Sequence, residues 1–422
     1  MHQSSKLKNG LRLILAPLTE TKAVTVLVLL PVGSRYETKK INGVSHFVEH
    51  LLFKGTAKRP TSLDITKELD AVGAEYNAFT GKDHTGYYIK VAAERIELAF
   101  DILSDMLFNS TFDQAEIDKE RGVIIEEINM YNDNPLIHLG GLFEQTIFGN
   151  HPLGWLISGP KQVIKTVSRQ QIVAYKQQHY QPHNIVLTVA GNFKTNTVKR
   201  LANQYFGLAS KTKNKKSFKK IQIRQSQPRV NILYKDTQQV QLGLGFPAFE
   251  TANPKIFALY VLAVILGGNM SSRLFINVRE KHGLAYYIRT DLSTYHDTGN
   301  FLVQAGLDRK RIKEALVLII AELQDIKANG VTPKELRAAK DFLKGKLILD
   351  LEDSENIADW YGKQVLLLGK TYTPAERLKK ISAVSLFDVA TVAKEIFQSK
   401  HFNLAMIGPF KNSAEFKKLL KL

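Results

Sequence analysis

The chain has 422 residues, of which 44% are hydrophobic and 23% charged, a composition that is typical of globular proteins and excludes disordered, collagen-like and coiled-coil chains. It contains no cysteine, which excludes disulfides, thiol nucleophiles and cysteine-ligated metal sites, so a bound metal has to use imidazole and carboxylate ligands. The net charge is +18, but much of the excess lies in one lysine-rich segment, which is more typical of a solvated linker than of a nucleic-acid groove.

The strongly apolar stretches are too short to be membrane spans. The two longest, residues 23–32 and 256–266, fall below the ~18 to 20 residues that cross a bilayer. The first ten residues contain no apolar signal core. We therefore expect a soluble, cytoplasmic protein without a membrane partner. A length of roughly three ~150-residue domains also predicts more than one hydrophobic core.

Periodicity in the first half of the chain predicts both strands and helices. Apolar or alternating runs predict four β-strands, at residues 11–15, 24–30, 87–91 and 185–189. Helical spacing of apolar residues predicts helices at residues 62–71 and 93–107. The early strands are joined by close turns and the helices follow in longer blocks. We therefore expect an α+β fold, in which helices pack on one face of an antiparallel-rich sheet.

The segment that begins at His46 has the pattern H-x-x-E-H. In a helix, His46, Glu49 and His50 share one face, while the apolar residues around them turn mostly to the packing side. Neutral imidazole is a good zinc ligand, but a catalytic zinc normally takes three protein ligands, so two histidines require a further carboxylate. The alternative is a pair of hydrogen-bonded core histidines with a surface acid beside them.

An acidic segment at residues 120–130 offers that carboxylate. Glu120 and Glu127 are seven residues apart and share one face of a helix, whereas Glu126 points elsewhere. Such a helix could bring Glu127 to the metal and place Glu120 one coordination shell out, where it orients a ligand histidine. Spacing alone does not choose between Glu126 and Glu127. The inverted zincin pattern together with this acidic helix favours a metal site over core histidines.

The second half of the chain repeats the first. Ser168 and Gly191 are 23 residues apart, and so are their counterparts Ser385 and Gly408, which lie 217 residues further on. At the starts of the halves, Pro31 and Pro247 each follow an apolar run and are 216 residues apart. Agreement at both ends predicts two similar domains in tandem, related by internal duplication. We predict an N-terminal metal-binding domain at residues 1–212 and a lysine-rich linker at residues 213–226. A C-terminal domain without metal ligands follows at residues 227–422.

With these motifs in place, nearly the whole chain resembles a family of inverted zinc peptidases that includes pitrilysin, insulysin and the mitochondrial processing peptidase. The segment from Gly43 to Thr56 is similar to the family signature, and 76 residues separate His50 from Glu127, which is the family's spacing to its third ligand. The resemblance therefore selects Glu127 over Glu126. It implies one Zn²⁺ ion per chain, held by His46, His50 and Glu127. It also implies that Glu49 is the base that acts on zinc-bound water and that Glu120 is the acid that orients a ligand.

Two further segments are similar to the family's substrate-binding elements. The stretch from Gly73 to Thr80 resembles a sheet edge to which a substrate strand is added by main-chain hydrogen bonds, and this implies substrate contacts at Asn77 and Ala78. As plain structure, the same stretch predicts a hairpin with aromatic packing. In the second half, Arg279 and Tyr286 are seven residues apart, like the pair with which the family's non-metal half binds the substrate near the scissile carbonyl.

The resemblance implies a zinc-dependent endopeptidase that hydrolyses short or unfolded peptides inside a closed chamber. Family members build the chamber from four such domains and this chain has two, so the resemblance implies a homodimer in which Arg279 and Tyr286 serve the zinc of the other chain. Two other classes stay open. One is a catalytically silent member that acts as a partner or scaffold subunit. The other is a nucleic-acid binder driven by the +18 charge, but no recognised nucleic-acid motif is present and we expect no such partner.

Overall fold

The computed structural model describes residues 2–208 and 217–422, which form two compact units. The sheet of each unit comes from one half of the sequence. Each unit also includes one segment from the other half. We define them as unit 1, made of Met1–Ile128, Leu156–Lys219 and Ile348–Tyr372, and unit 2, made of Asn129–Trp155, Lys220–Leu347 and Thr373–Leu422.

Strands and helices cover most of the described residues. The strands are β1 (Gln3–Lys6), β2 (Arg12–Pro17), β3 (Ala23–Leu30), β4 (Glu75–Thr80), β5 (Thr85–Ala92), β6 (Val186–Gly191), β7 (Arg229–Tyr234), β8 (Gln239–Ala248), β9 (Ala285–Thr294), β10 (Gly299–Asp308) and β11 (Asn403–Gly408). The helices are α1 (Val44–Leu52), α2 (Ser62–Asp70), α3 (Ile96–Asn109), α4 (Gln114–Asp133), α5 (Pro135–Phe148), α6 (Lys161–Thr166), α7 (Arg169–His179), α8 (Thr195–Phe206), α9 (Ile256–Gly267), α10 (Ile312–Asn329), α11 (Pro333–Asp350), α12 (Ser354–Leu368), α13 (Pro374–Ser382), α14 (Leu386–Ile396) and α15 (Ser413–Lys417).

The two sheets have the same strand order. In unit 1 the order is β1-β2-β6-β3-β5-β4, and in unit 2 it is β7-β11-β8-β10-β9, so each strand from β2 to β6 has a counterpart from β7 to β11. One pair in each sheet is parallel, β2 with β6 and β7 with β11, and the other pairs are antiparallel. This correspondence confirms the predicted α+β fold with two similar, duplicated domains in tandem.

The central strands explain where the cores form. In β3, seven of the eight residues are buried, as expected for a strand that is covered on both faces. Val24, Val26 and Val28 point to one face and pack in the core that contains α1, α3, α7 and α8. Leu27 and Leu29 point to the other face and pack against α12.

The second face of each sheet carries one helix from the other half of the sequence. In unit 1 this helix is α12, which follows unit 2's sheet strands β7–β10 in the chain. In unit 2 it is α5, whose Leu139 and Phe143 pack with Leu302 and Ile407 of the sheet. The sequence predicts helices on one face of each sheet, and the structure adds this single helix on the opposite face.

The predicted lysine-rich linker, residues 213–226, lies partly outside the described residues, which leave out 209–216. Its described part, residues 217–226, has no helix or strand. Within unit 1, the Phe218 ring lies 4.0 Å from the Arg35 guanidinium carbon, and Arg35 Nη2 donates to the Lys219 carbonyl at 3.2 Å. This end of the linker is therefore bound to the segment before α1. The domain limits at 212 and 227 stay a prediction.

The described residues, 2–208 and 217–422, include no helix that combines the length and the apolarity needed to cross a membrane. Helix α9 is almost entirely apolar, but it has 12 residues, against ~20 for a membrane span, and ten of them are buried. It is therefore a core helix. The cytoplasmic location stays a prediction.

Candidate metal centre

Helix α1 presents the H-x-x-E-H residues, and its N-terminus is held by a buried carboxylate. Glu37 accepts hydrogen bonds from the backbone N–H groups of Gly43 and Ser45, both at 2.7 Å, and from Asn42 Nδ2 at 2.8 Å. A carboxylate at this place satisfies free N–H groups and complements the helix dipole. Burial raises the pKa of Glu37 to about 6, although these hydrogen bonds favour the charged form.

The turn into α1 requires glycine. Gly43 has φ of 102°, in the left-handed region, and a Cβ there would stand 2.6 Å from the Ser158 carbonyl oxygen. From this turn the helix buries Phe47, Val48 and Leu51 in the core of unit 1. The opposite face, which carries the two histidines and Glu49, is thereby held toward α4.

Helices α1 and α4 bring His46, His50 and Glu127 together. The two Nε2 atoms lie 3.2 Å apart, and Glu127 Oε2 lies 3.6 Å from His46 Nε2 and 3.4 Å from His50 Nε2. Glu126, the alternative that spacing left open, is exposed and is not part of this group.

The triangle of donor atoms fits a zinc ion. Zinc takes nitrogen and oxygen ligands at about 2.0–2.2 Å in a tetrahedron, and in that geometry the ligand atoms are about 3.3–3.6 Å from one another. The observed separations of 3.4 and 3.6 Å fall in this range, and that of 3.2 Å lies just below it. Two imidazoles and one carboxylate are also the ligand set that catalytic zinc sites use, with the fourth position open.

Glu120 orients the His50 ring through a contact with Nδ1, the ring nitrogen on the side away from the other two ligand residues. Its Oε1 lies 2.7 Å from His50 Nδ1, and its Oε2 lies 2.7 Å from Lys54 Nζ. Burial acts to raise the pKa of Glu120, but the hydrogen bonds from His50 and Lys54 lower it below its usual value. With the proton on Nδ1, the Nε2 lone pair of His50 faces Glu127 and the other histidine, as second-sphere carboxylates commonly arrange for metal-binding histidines.

The two histidines have different electrostatic surroundings. Burial lowers the pKa of His46 to about 4, with a smaller effect from the charge of His50. Its Nδ1 is buried without a hydrogen-bond partner. Burial also acts to lower the pKa of His50, but the hydrogen bonds with Glu120 and Glu127 raise it to about 9. At pH 7 His46 is therefore neutral, the form in which imidazole binds metals, whereas His50 is protonated and has to lose its Nε2 proton when a metal binds.

Glu49 lies one residue before His50 on the same helix and is hydrogen-bonded to the neighbouring sheet. The Thr80 hydroxyl, at the end of β4, donates to Glu49 Oε2 at 2.5 Å. Burial raises the pKa of Glu49, and the Thr80 hydrogen bond acts in the opposite direction. The carboxyl is therefore a better proton acceptor than an exposed glutamate, as a general base requires.

Strand β4 is an edge of the unit 1 sheet and carries Asn77 and Ala78. It pairs with β5 in a hairpin, with Asn77 opposite Tyr88. Asn77 is exposed, and its Oδ1 accepts from the Ala78 N–H at 2.8 Å. The segment thus forms the predicted hairpin and lies at an open sheet edge among the described strands. Substrate contacts at Asn77 and Ala78 stay a prediction.

Arg279 and Tyr286 belong to unit 2. Arg279 lies in the π-helical segment Phe275–Lys281, where its guanidinium carbon is 4.5 Å from the centre of the Phe275 ring. Tyr286 lies on the edge strand β9 and is 74% exposed. Both side chains have polar groups accessible for binding, and their role toward a substrate stays a prediction.

Two residues that hold this site are missing from the sequence-based account. Glu37 lies six residues before Gly43, outside the Ser, Thr, Asp or Asn position that signals a helix cap. Thr80 belongs to the predicted sheet edge, but no spacing rule relates it to Glu49, because their contact joins residues 31 apart on different elements. An alternating pattern that turns Thr80 to the α1 face is the signal that could have found it.

Two sequence profiles match the chain. One is described as Insulinase (Peptidase family M16) and matches residues 12–161, and the other as Peptidase M16 inactive domain and matches residues 166–343. An uncharacterized zinc protease of Bacillus subtilis, YmxG, is 36% identical over 409 residues, which cover 96% of this chain and 98% of that protein. An uncharacterized zinc protease of Streptomyces coelicolor is 35% identical, and the match covers 96% of this chain and 89% of that protein.

Solved structures agree with the sequence matches. A protease from Helicobacter pylori has a TM-score of 0.90 and 25% identity, and the match covers 97% of this chain and 99% of that one. A peptidase M16 inactive domain from Pseudomonas fluorescens has a TM-score of 0.90 at 17% identity, covering 98% of this chain and 99% of that one, which is a likeness of fold alone. The resemblance found in the sequence is confirmed.

Proposed function

This chain belongs to peptidase family M16, and from that premise we propose that it is a zinc-dependent endopeptidase that hydrolyses peptide bonds in short or unfolded peptides. The observation that carries the proposal is the triangle of His46 Nε2, His50 Nε2 and Glu127 Oε2, whose separations suit a tetrahedral zinc ion. The zinc proteases among the relatives support the same activity by name.

His46, His50 and Glu127 would hold the metal. A zinc ion in such a site supplies Lewis-acid polarisation of a carbonyl and lowers the pKa of a coordinated water. Glu120 keeps the His50 ring in position through its 2.7 Å contact with Nδ1. Without that contact the ring could rotate about its side-chain torsions and its Nε2 would no longer be aimed at the other two ligands.

Glu49 is the proposed general base. Its Oε2 accepts a hydrogen bond from the Thr80 hydroxyl, and we assign to Oε1 the proton of the attacking water. The protonated carboxyl then delivers that proton to the nitrogen of the leaving amine, so the carboxylate returns to its starting state. A positioned acid–base group of this kind contributes about 10²- to 10⁴-fold to the rate.

The open edge of β4 is the proposed place of the substrate chain. A peptide in extended form can add to an unpaired sheet edge through main-chain hydrogen bonds, which requires little of the peptide's sequence. Asn77 and Ala78 lie on this edge, three and two residues before Thr80. An unfolded or short peptide offers such a free strand, whereas a folded protein keeps its strands paired.

The experiment compares the wild-type chain with Glu49→Gln, both loaded with zinc, on a mixed library of unstructured peptides read by mass spectrometry. We expect wild type to cleave, and Glu49→Gln to lose about 10²- to 10⁴-fold in rate while keeping its zinc. Glu126→Gln is the matched control, because Glu126 is an exposed glutamate on α4 outside the ligand group.

Two results would contradict the proposal. Cleavage by Glu49→Gln at the wild-type rate would exclude Glu49 as the base. Absence of cleavage by zinc-loaded wild type would favour the second candidate, a silent family member that acts as a partner or scaffold subunit. That candidate has one observation in its favour, which is that residues 166–343 match a profile described as an inactive domain.

A further inference from the structure

We propose that Thr80 is the positioning residue that holds the Glu49 carboxylate in its working orientation, so that the substrate-binding strand and the proton-transfer group are mechanically linked. The inference rests on the proposed function, because it gives Thr80 a task in proton transfer by Glu49. Its basis is the 2.5 Å hydrogen bond from the Thr80 hydroxyl to Glu49 Oε2. The short distance is typical of a hydroxyl that donates to a charged carboxylate.

A hydrogen bond of this kind fixes the orientation of a glutamate carboxylate. The terminal torsion of a glutamate side chain has a broad, roughly two-fold preference, so the two carboxylate oxygens exchange places easily. One fixed donor makes the oxygens unequal. With Oε2 of Glu49 bound to Thr80, the plane of the carboxylate is fixed and Oε1 is the oxygen that carries no hydrogen bond from Thr80. A misplacement of about 1 Å at a reacting group can lower a rate by about 10²-fold.

Strand alternation turns Thr80 toward α1. Its neighbour Phe79 points to the opposite face, where it packs with the cluster that contains α12. Two residues before Thr80, Ala78 packs against the core that contains α1. Thr80 therefore follows the period-two pattern of β4, and a one-residue shift of the strand would remove its hydroxyl from Glu49.

The turn after Thr80 is fixed to the segment that precedes α1. The Gly81 N–H donates to the His84 carbonyl at 2.8 Å, and the Gly81 carbonyl accepts from the Ser34 N–H at 3.1 Å. A Cβ at Gly33 would stand 2.2 Å from that same carbonyl, so the two backbones approach as closely as glycine allows. The chain then continues to Glu37, which caps α1. Donor and acceptor thus belong to one connected framework.

The contact joins substrate binding to the base. Thr80 is the last residue of β4, and Asn77 and Ala78 are on the same strand at the sheet edge. A peptide strand that adds to this edge would pair with the β4 backbone and restrict its motion. The restriction extends to the Thr80 hydroxyl, and hence to the carboxylate of Glu49.

The test uses three substitutions that separate the hydroxyl from the fold. Thr80→Val removes the hydroxyl and keeps the shape, whereas Thr80→Ser keeps the hydroxyl. Thr85→Val is the matched control, because Thr85 pairs with Thr80 across the hairpin and its own hydroxyl donates to the Val32 carbonyl at 2.8 Å. All three full-length variants are purified, loaded with zinc and crystallised.

The first measurement is the orientation of the Glu49 carboxylate in those crystal structures. We expect Thr80→Val to lose the single orientation, and Thr80→Ser and Thr85→Val to keep it, with equal zinc content in all. A Glu49 carboxylate that superimposes on wild type in Thr80→Val would overturn the proposal. This measurement needs no turnover, so it decides the role of Thr80 even if wild type cleaves no peptide and the proposed function fails.

The second measurement is peptide cleavage. We expect Thr80→Val to lower kcat by about 10- to 100-fold with KM changed less than about twofold, a smaller loss than for Glu49→Gln. Thr80→Ser should recover most of the rate, and Thr85→Val should keep the wild-type kcat even if its stability falls. A Thr80→Ser variant as slow as Thr80→Val would contradict the role of the hydroxyl.

Discussion

At the scale of single residues, two buried carboxylates hold the helix that carries the imidazoles. Glu37 binds the backbone at the N-terminus of α1, and Glu120 binds the Nδ1 atom of His50 close to the C-terminus. Each is largely removed from water, with 4% and 3% of its surface exposed. A buried carboxylate is stable only when it is hydrogen-bonded, and here the partners are the parts of α1 that have to stay in place.

At two glycines inside helices, we expect substitution by leucine to change the free energy of unfolding in opposite directions. A Cβ at Gly362, inside α12, would stand 2.7 Å from Leu29 Cδ1 and 2.8 Å from Thr188 Oγ1, whereas a Cβ at Gly345, inside α11, would meet nothing within 4 Å. We expect Gly362→Leu to lower the free energy of unfolding by about 1–3 kcal/mol through overpacking. Gly345→Leu should raise it by about 0.5–1 kcal/mol through helix propensity.

Urea unfolding of the two leucine variants measures this difference, with wild type as the reference. The midpoint should fall for Gly362→Leu and should rise slightly for Gly345→Leu. A Gly362→Leu variant at least as stable as wild type would show that α12 does not pack against β3 and β6 as described here.

At the scale of elements, the four strands predicted in the first half were predictable because their patterns are local. The run at 24–30 became most of β3, and 185–189 became most of β6. The predicted helix at 93–107 begins as a 3-10 turn at Ala93–Arg95 and continues as α3. Boundaries moved by a few residues, since helix and strand ends depend on capping and on neighbours.

Helices α5 and α12 show what local patterns leave out. Neither helix was predicted from the sequence, and each covers a sheet from the other half of the sequence. Periodicity tells which face of a helix is apolar and carries no information on which distant surface it covers. Ligand selection is similar, because helical spacing left both Glu126 and Glu127 open and the resemblance to the family selected Glu127. The structure groups Glu127 with the two histidines and leaves Glu126 exposed.

At the scale of the whole molecule, we propose a homodimer in which Arg279 and Tyr286 of one chain serve the zinc site of the other. Both lie in unit 2 and Tyr286 is largely exposed. The resemblance to the family implies a chamber built from four such domains, of which this chain has two. A closed symmetric dimer would supply the other two.

A complementation experiment tests this arrangement. Glu49→Gln chains and Arg279→Ala chains are inactive or weak alone, but a mixed dimer contains one site with an intact Glu49 and an Arg279 from the other chain. Coexpression with random pairing should return about a quarter of the wild-type activity. If Arg279 serves its own chain, neither site of the mixed dimer is complete and no activity returns. Two Glu49→Gln chains with different tags provide the background.

The proposed mechanism requires His46, His50 and Glu127 to bind a metal, and anomalous X-ray diffraction on both sides of the zinc absorption edge measures this binding. We expect one peak per chain, among His46 Nε2, His50 Nε2 and Glu127 Oε2, that is present in wild type and in Glu49→Gln and lost in His46→Ala. A zinc-saturated crystal without a peak at this place would contradict it.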